Sequence, residues 1–204
     1  MENAPLVLVS GFGPFEAFDR NPSGEVAEAL AERPPPGLRV RARVLPVSFA
    51  RAPRAWDELL AAGERPALFL GLGVARKAGF RLERCGGPRL KLVPRPDVDG
   101  RCAEEYSSDG PKLETGLDLA LVLASLRARG VADARVSRSA GGYVCERIYH
   151  HLLVRAAERG VPALFVHVPP LRFAPLARQV EVVGWVLEEL RPRLADQSSS
   201  ASFG

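Results

Sequence analysis

Cys145 is the residue whose surroundings most clearly suggest chemistry. It follows a short β-like run at 134–137 and the pair Gly141-Gly142, and an apolar-periodic stretch begins at Val144. The glycines permit a tight turn, so the thiol is predicted to lie in the first turn of a helix. Unpaired backbone N–H groups and the helix dipole favour a thiolate there and can bind an oxyanion. Cys145 is therefore a candidate nucleophile; a buried structural cysteine is the alternative.

A nucleophilic cysteine needs a base, and the chain contains only three histidines. His150 and His151 follow Cys145 on the same predicted helix and are expected to point along it rather than at the thiol. His167 instead follows the apolar run 163–166, which predicts a buried strand. It then lies at the carboxyl end of a strand, the edge at which open α/β sheets build their sites. His167 is therefore the candidate base.

Glu83 is the candidate for an acid that orients this base, as the third member of a catalytic triad does. It lies in the alternating run 80–84, just past the predicted strand 67–72 and its glycine turn. An acidic residue in an alternating strand usually faces solvent, and that is the alternative for Glu83.

The segments that must position these residues alternate between apolar runs and amphipathic helices. Strands are predicted at 5–10, 38–47, 67–72, 134–137 and 163–168, and helices at 22–32, 50–62, 115–129, 144–159 and 175–194. Crossovers long enough to contain a helix predict a mainly parallel sheet covered on both faces. The run 80–112, rich in Pro, Gly, Asp and Arg, predicts a hairpin and a long loop. We expect a single domain over 1–195 and a disordered Ser-rich tail over 196–204.

Composition and charge exclude several classes of function. The chain has 204 residues and a net charge of +4, and no basic run alternates with aromatics, which argues against nucleic-acid binding. No apolar run is long enough to span a bilayer, and no secretory leader is evident. The three cysteines lack metal-ligand spacing and form no CxxC pair. We therefore expect a cytoplasmic protein without disulfides and without a bound metal.

Three blocks of sequence resemble one known family. They are Gly11-Phe12-Gly13-Pro14-Phe15 with Asn21-Pro22-Ser23, the stretch Ser137 to Cys145 with its AGGYVC motif, and Phe165-Val166-His167-Val168-Pro169. Their order and spacing agree over roughly residues 6–194. On these blocks the chain resembles pyroglutamyl-peptidase type I, also called pyrrolidone-carboxylate peptidase, a cysteine peptidase that removes N-terminal pyroglutamate.

The resemblance implies a three-layer α/β/α sandwich around a mainly parallel twisted sheet, in agreement with the alternation of segments. It implies a triad in which Cys145 attacks the carbonyl after the lactam ring, His167 shuttles the proton and Glu83 holds the imidazole. It also implies pyroglutamyl-peptide substrates and a homotetramer, with no metal or organic cofactor.

A substrate pocket follows from the same resemblance and from position. Pyroglutamate is a neutral lactam, so its pocket needs apolar walls and a few backbone polar groups. Phe12 and Phe15 match the family's aromatic wall, and Tyr143 and Val144 line the other side by position. Asn21 matches a family Asn near the pocket, where its amide either steadies the loop or binds substrate.

The chain departs from the family pattern at three places near the site. Leu72 replaces a polar amide that faces the family's pocket. The family arginine that assists the oxyanion has no clean counterpart, so Arg95 and Lys91 are candidates beside the backbone of Cys145. Glu146 stands where Asn usually follows the nucleophile, and we expect it to face solvent, since an inward carboxylate would oppose thiolate formation.

These departures leave other functions open. One is a related amidohydrolase or acyl transferase with an altered substrate preference; another is a weak or inactive homologue that serves as a binding protein. Nucleotide binding at Gly11-Phe12-Gly13 has little support, because the third glycine of the GxGxxG fingerprint is absent.

Overall fold

The computed structural model describes residues 4–15, 19–61, 63–91 and 95–200, with 196–200 described by their backbone alone. The strands are β1 (Leu6–Phe12), β2 (Arg39–Leu45), β3 (Leu68–Val74), β4 (Arg81–Glu83), β5 (Cys85–Gly86), β6 (Leu113–Glu114), β7 (Arg135–Ser137) and β8 (Ala163–Val168). Six of them form one sheet in the order β2-β1-β3-β8-β4-β7. The first four strands in this order are mutually parallel, while β4 and β7 run parallel to each other and β4 is antiparallel to β8. The predicted mainly parallel sheet is confirmed.

Helices cover both faces of this sheet. They are α1 (Pro22–Glu32), α2 (Arg51–Leu60), α3 (Leu119–Ala128), α4 (Val144–Arg159) and α5 (Leu176–Ser200). Buried side chains of α1, α3 and α5 form one hydrophobic cluster with the sheet, and those of α2 and α4 form a second. The arrangement is the predicted three-layer α/β/α sandwich. In the described part of the chain, no helix has the length and apolar character needed to cross a bilayer.

Strand composition follows each strand's place in the sheet. The seven residues of β1 are all buried, as expected for a central strand covered on both faces. The edge strand β2 carries arginines at alternate positions, and Arg39 and Arg41 pair with Glu64 while Arg43 pairs with Glu58. Charged side chains on an edge strand discourage pairing with another chain.

Several predicted boundaries differ from the structure. The helix expected at 115–129 begins at Leu119, because Asp118 is its N-cap and accepts hydrogen bonds from the N–H groups of Ala120 and Leu121. Helix α5 continues to Ser200, into the segment 196–204 expected to be disordered. Residues 201–204 lie outside the described residues, and the domain limit at 195 stays a prediction.

The run 80–112 is organised differently from the hairpin and loop that we expected. Strand β4 enters the main sheet between β8 and β7, and the short strands β5 and β6 pair with each other outside it. The loop between them is fastened by Asp97, a buried carboxylate that accepts from the backbone N–H groups of Phe49, Asp99 and Arg101. A pattern of apolar residues carries no sign of these bonds, of which the one from Phe49 joins residues distant in sequence.

The end of β1 is packed tightly against the start of α1. The N–H of Phe12 donates to Ser23 Oγ at 3.1 Å, and a Cβ at Gly11 would overlap the backbone carbonyl of Ser23. A side chain at this position therefore forces the strand and the helix apart.

We predict that Gly11→Ala lowers the free energy of unfolding by roughly 1–3 kcal/mol, since overpacking against backbone cannot be relieved by a rotamer change. Urea unfolding followed by circular dichroism measures this. Gly116→Ala is the matched control, because a Cβ there meets nothing within 4 Å. Equal stability of the two variants would contradict the packing argument.

Candidate active site

Cys145 lies at the second position of α4, in the first helical turn, as predicted. Tyr143 is the N-cap residue, with extended φ and ψ of −123° and −153°. The preceding Gly141 and Gly142 have φ values of 103° and 75°, in the region that favours glycine. The sequence thus turns sharply from the loop into the helix and presents the half-buried thiol at the end of the sheet.

Gly73 on β3 makes room for the sulfur. A Cβ at Gly73 would lie 2.9 Å from Cys145 Sγ and 3.0 Å from the ring of Phe165. In the sheet register, Gly73 pairs with His167 on β8. The thiol therefore lies over one strand and the imidazole on its neighbour, and both line one cavity of about 470 Å³. Among the described residues the two side chains share this cavity without a direct hydrogen bond.

Glu83 and His167 form a buried pair. His167 Nδ1 and Glu83 Oε1 are 2.7 Å apart, and the Glu83 side chain is fully excluded from solvent. The antiparallel pairing of β4 with β8 brings them together, with Arg81 opposite His167 and Glu83 opposite Phe165. Nδ1 is therefore the ring nitrogen that Glu83 engages, which leaves Nε2 for other chemistry.

Burial controls the protonation of both reactive groups. Desolvation lowers the pKa of His167 below its usual value, although the hydrogen bond and charge of Glu83 act in the opposite direction. Desolvation, assisted by the Glu83 carboxylate, raises the pKa of the Cys145 thiol to about 12, with Arg81 opposing. The helix start was expected to favour a thiolate, but desolvation in this geometry opposes it and favours the neutral thiol and the neutral imidazole.

Cys145 also lines a second cavity, of about 340 Å³, which His167 does not line. Five of the residues expected around a substrate pocket line it: Phe12, Phe15, Asn21, Tyr143 and Val144. The rings of Phe15 and Tyr143 are 5.9 Å apart. We call this space the aromatic cavity, and the space shared by Cys145 and His167 the cationic cavity, for reasons given below.

Asn21 holds the loop that forms the aromatic cavity. Its Oδ1 accepts from the N–H and hydroxyl of Ser23 at 3.2 and 2.8 Å, and its Nδ2 donates to the carbonyl of Gly13 at 3.0 Å. These bonds cap α1 and fix the loop after β1. Of the two roles considered for Asn21, the contacts favour steadying the loop.

Leu72 does not lie in either cavity, contrary to the expectation. It is fully buried in the cluster that β3 forms with α1 and α5. Successive strand residues face opposite sides, so Gly71 and Gly73 face α4 while Leu72 faces away. A side chain at position 72 therefore points away from the thiol.

Arg95 and Lys91 are both near the site. They are the two candidates to replace the family arginine that assists the oxyanion. Arg95 lines both cavities, and its guanidinium lies 5.2 and 4.9 Å from the ring centres of Phe15 and Tyr143. The backbone N–H of Lys91 donates to the carbonyl of Gly142, which fastens the turn before the nucleophile. Sequence reasoning missed Arg81, although its place two residues before Glu83 puts both on one face of a strand.

Glu146 is buried, although we expected it to face solvent. Its Oε1 accepts from the N–H of Gly87 at 2.9 Å, and its Oε2 accepts from the N–H of Gly142 and the hydroxyl of Ser139 at 3.2 and 2.9 Å. The carboxylate thus joins the loop after β5 to the turn before Cys145. Three donors compensate for its burial, which explains why it can point inward. Its charge is one of the smaller factors that raise the pKa of the thiol.

His150 and His151 lie outside this constellation, as expected. His151 Nε2 is 2.9 Å from Asp57 Oδ1, in an ion cluster between α2 and α4 that also holds Arg155. Neither histidine lines a cavity with Cys145.

Comparison with known proteins assigns the chain to a family. A family model described as pyroglutamyl peptidase matches residues 6–178. The chain belongs to the pyroglutamyl peptidase family. It is 32% identical over 179 residues to pyrrolidone-carboxylate peptidase 1 of Ralstonia nicotianae, a match that covers 82% of this chain and 79% of the relative. It is 35% identical over 169 residues to pyrrolidone-carboxylate peptidase of Chromobacterium violaceum, covering 80% and 77%.

Solved structures of this family share the fold. The pyrrolidone carboxyl peptidase of Fervidobacterium islandicum superposes with a TM-score of 0.80 at 29% identity, covering 92% of this chain and 99% of that one. A mutant of the Pyrococcus furiosus protein gives a TM-score of 0.83 at 23% identity, covering 93% and 99%. At 23% identity, the similarity to the Pyrococcus furiosus protein concerns the fold alone.

In this member of the pyroglutamyl peptidase family, we predict that Glu146→Gln lowers the free energy of unfolding by about 1–3 kcal/mol. Both carboxylate oxygens face backbone N–H donors, so one of these donors must lose its acceptor when an NH₂ group replaces an oxygen. Chemical denaturation measures the change.

Glu158→Gln on the same helix is the control. Its carboxylate makes a partly exposed ion pair with Arg155, and such pairs contribute at most about 1 kcal/mol. An effect of Glu146→Gln no larger than that of Glu158→Gln would show that the buried bonds carry no special stability.

Proposed function

We propose that this chain is a cysteine peptidase that removes N-terminal pyroglutamate from peptides through a thioester acyl-enzyme. One observation carries the proposal. The thiol of Cys145 stands at the junction of an aromatic cavity and a second cavity lined by His167, whose Nδ1 is bonded to Glu83. Membership of the pyroglutamyl peptidase family supports it.

The aromatic cavity suits the substrate's ring. A pyroglutamyl ring is small, neutral and planar at its amide, and it matches walls made by Phe12, Phe15 and Tyr143. With the ring in this cavity, the carbonyl that follows it reaches the sulfur of Cys145. The hydrogen bonds from the Asn21 side chain to the backbone of Gly13 and Ser23 keep the walls in place before substrate enters.

Proton transfer accompanies attack, because the resting thiol and imidazole are both neutral. The Nε2 of His167 takes the thiol proton as sulfur bonds to the carbonyl carbon, and Glu83 stabilises the imidazolium that forms. The unpaired N–H groups in the first turn of α4, including that of Cys145, hold the oxyanion, with the guanidinium of Arg95 as a further donor.

Two steps then complete the reaction from this tetrahedral intermediate. The imidazolium of His167 gives its proton to the leaving amine, the carbon–nitrogen bond breaks, and a pyroglutamyl thioester remains on Cys145. Water then attacks the thioester with His167 as base, and free pyroglutamate and the thiol are released.

Two further parts of the proposal concern the protein's state. A homotetramer stays a prediction of the family resemblance, and light scattering coupled to gel filtration measures it. A cytoplasmic location stays a prediction of the cysteine pattern.

The direct test is release of a chromogenic amine from a pyroglutamyl amide. Cys145→Ser and His167→Ala are each expected to lower kcat/KM at least about a hundredfold, since each removes a group that takes part in bond making or proton transfer. Cys102→Ser is the matched control, because this free cysteine lines neither cavity.

Other outcomes separate the alternatives. Equal turnover of an acetyl amide and a pyroglutamyl amide would favour a general amidohydrolase. An absence of turnover in the wild type would favour the inactive homologue.

The pH dependence should follow His167. The base must be neutral, and burial lowers its pKa below its usual value, so the acid limb of kcat/KM is expected below about pH 6.5. Glu83 raises the pKa of His167, so Glu83→Gln should move this limb to still lower pH while it lowers kcat. A limb above pH 6.5 in the wild type, or one moved upward in the variant, would contradict this assignment.

A further inference from the structure

The cavity that contains His167 is lined by positive charge. Its charged or titratable lining residues, apart from Cys145, His167 and Tyr143, are all cations: Arg76, Lys77, Arg81, Lys91 and Arg95. Lysines 77 and 91 and Arg81 line this cavity and not the aromatic one. No carboxylate is among its lining residues in the described part of the chain.

Three of these five cations are not paired with a carboxylate in the part of the chain that the structure describes. Arg76, Lys77 and Lys91 make no ion pair with any described residue and are exposed at the cavity mouth. Arg81 faces Glu83 at 3.6 Å, but that carboxylate already binds His167 at 2.7 Å.

A second buried carboxylate near the site, that of Glu146, is also engaged by protein donors. Glu146 is buried behind the Gly142 turn with three hydrogen bonds. A cluster of cations in a concave site, with no carboxylate among its described lining residues, attracts an anionic ligand.

The proposed reaction fixes which part of the substrate meets these cations. His167 must give its proton to the leaving amine, so the peptide that leaves has to begin on the side of Cys145 where His167 lies. The neutral ring occupies the aromatic cavity, and the first residue after pyroglutamate therefore enters the cationic cavity.

We propose that the cationic cavity selects substrates with a carboxylate on the residue that follows pyroglutamate, either an acidic side chain or a free C-terminal carboxylate. The inference rests on the proposed function and adds a substrate class to it. The ring itself carries no charge, so it offers nothing for these cations to bind.

The expected size of the preference is moderate. The cations at the cavity mouth are exposed, and each one alone contributes little in water. Several acting together on one carboxylate should give about a tenfold gain in kcat/KM at low salt, and the gain should shrink as ionic strength rises. The decrease with ionic strength distinguishes electrostatic selection from selection by shape, which does not depend on salt.

The test compares three matched substrates: pyroglutamyl-Glu amide, pyroglutamyl-Gln amide and pyroglutamyl-Gln with a free carboxylate. At low salt the first should exceed the second about tenfold in kcat/KM, with the ratio falling towards one in high salt. A gain for the third over the second would identify the terminal carboxylate as a ligand as well, or as the ligand if the first shows no gain. If neither acidic substrate exceeds the neutral one, the inference is wrong.

A second experiment measures the same substrates with the variant Lys77→Gln. This substitution should lower the preference of the wild type about threefold, mainly through KM for the acidic substrate. Lys112→Gln removes the same charge from an exposed site that lines neither cavity, and it should leave the preference unchanged. An equal effect of both variants would assign the preference to net charge and overturn the cavity's role.

A neutral chromogenic pyroglutamyl amide separates failure of this inference from failure of the proposed function. Turnover of that amide without any preference for carboxylate overturns only the inference. Absence of turnover with every pyroglutamyl substrate overturns the peptidase itself.

Discussion

The buried hydrogen bond between Glu83 and His167 is the constraint on which the site depends. A carboxylate with no exposure to solvent is costly unless its partners are fixed, and here the partner is an imidazole on the neighbouring strand. This contact exists because β4 is inserted antiparallel beside β8, which breaks the parallel order of the sheet. The insertion in turn requires the chain after β3 to return to the sheet. The strand that breaks the parallel order is therefore the one that supplies the partner of His167, the proposed base.

The position of Cys145, the proposed nucleophile, depends on a different constraint, which is the close approach of α4 to β3. Helix α4 can bring Cys145 over the sheet only because β3 has no side chain at Gly71 and Gly73, where a Cβ would meet Phe165, Leu152 or the sulfur itself. The turn before the helix needs positive φ at two residues and is fastened by Glu146 and by the backbone of Lys91. The thiol's position is thus set by packing against β3 and by the hydrogen bonds that hold the turn before α4. These constraints meet the proposed base at Gly73, which pairs with His167 in the sheet.

Local sequence was enough to predict some of this arrangement. The limits of α1, α4 and β8 follow from Pro22, from the Gly141-Gly142 turn and from a continuous apolar run, and these signals lie within or beside each element. The insertion of β4, the inward direction of Glu146 and the core position of Leu72 could not be predicted, because each depends on partners distant in sequence. The thiolate expected at Cys145 was misjudged for the same reason. The helix start is visible in the sequence, whereas the desolvation that outweighs it arises only when the strands assemble.

The burial of Cys145 also affects the reactivity of its thiol. Burial and two carboxylates favour the thiol, and Arg81 and Arg95 favour the thiolate without prevailing. A neutral thiol is a weak nucleophile and a poor target for oxidants, so in the proposed mechanism Cys145 gains reactivity when His167 removes its proton. In the described structure these two side chains share a cavity without a hydrogen bond, and the proposed mechanism has the bound substrate bring carbonyl, sulfur and imidazole into line. Reactivity is then coupled to occupation of the aromatic cavity, and a substrate that fills it poorly loses turnover as well as affinity.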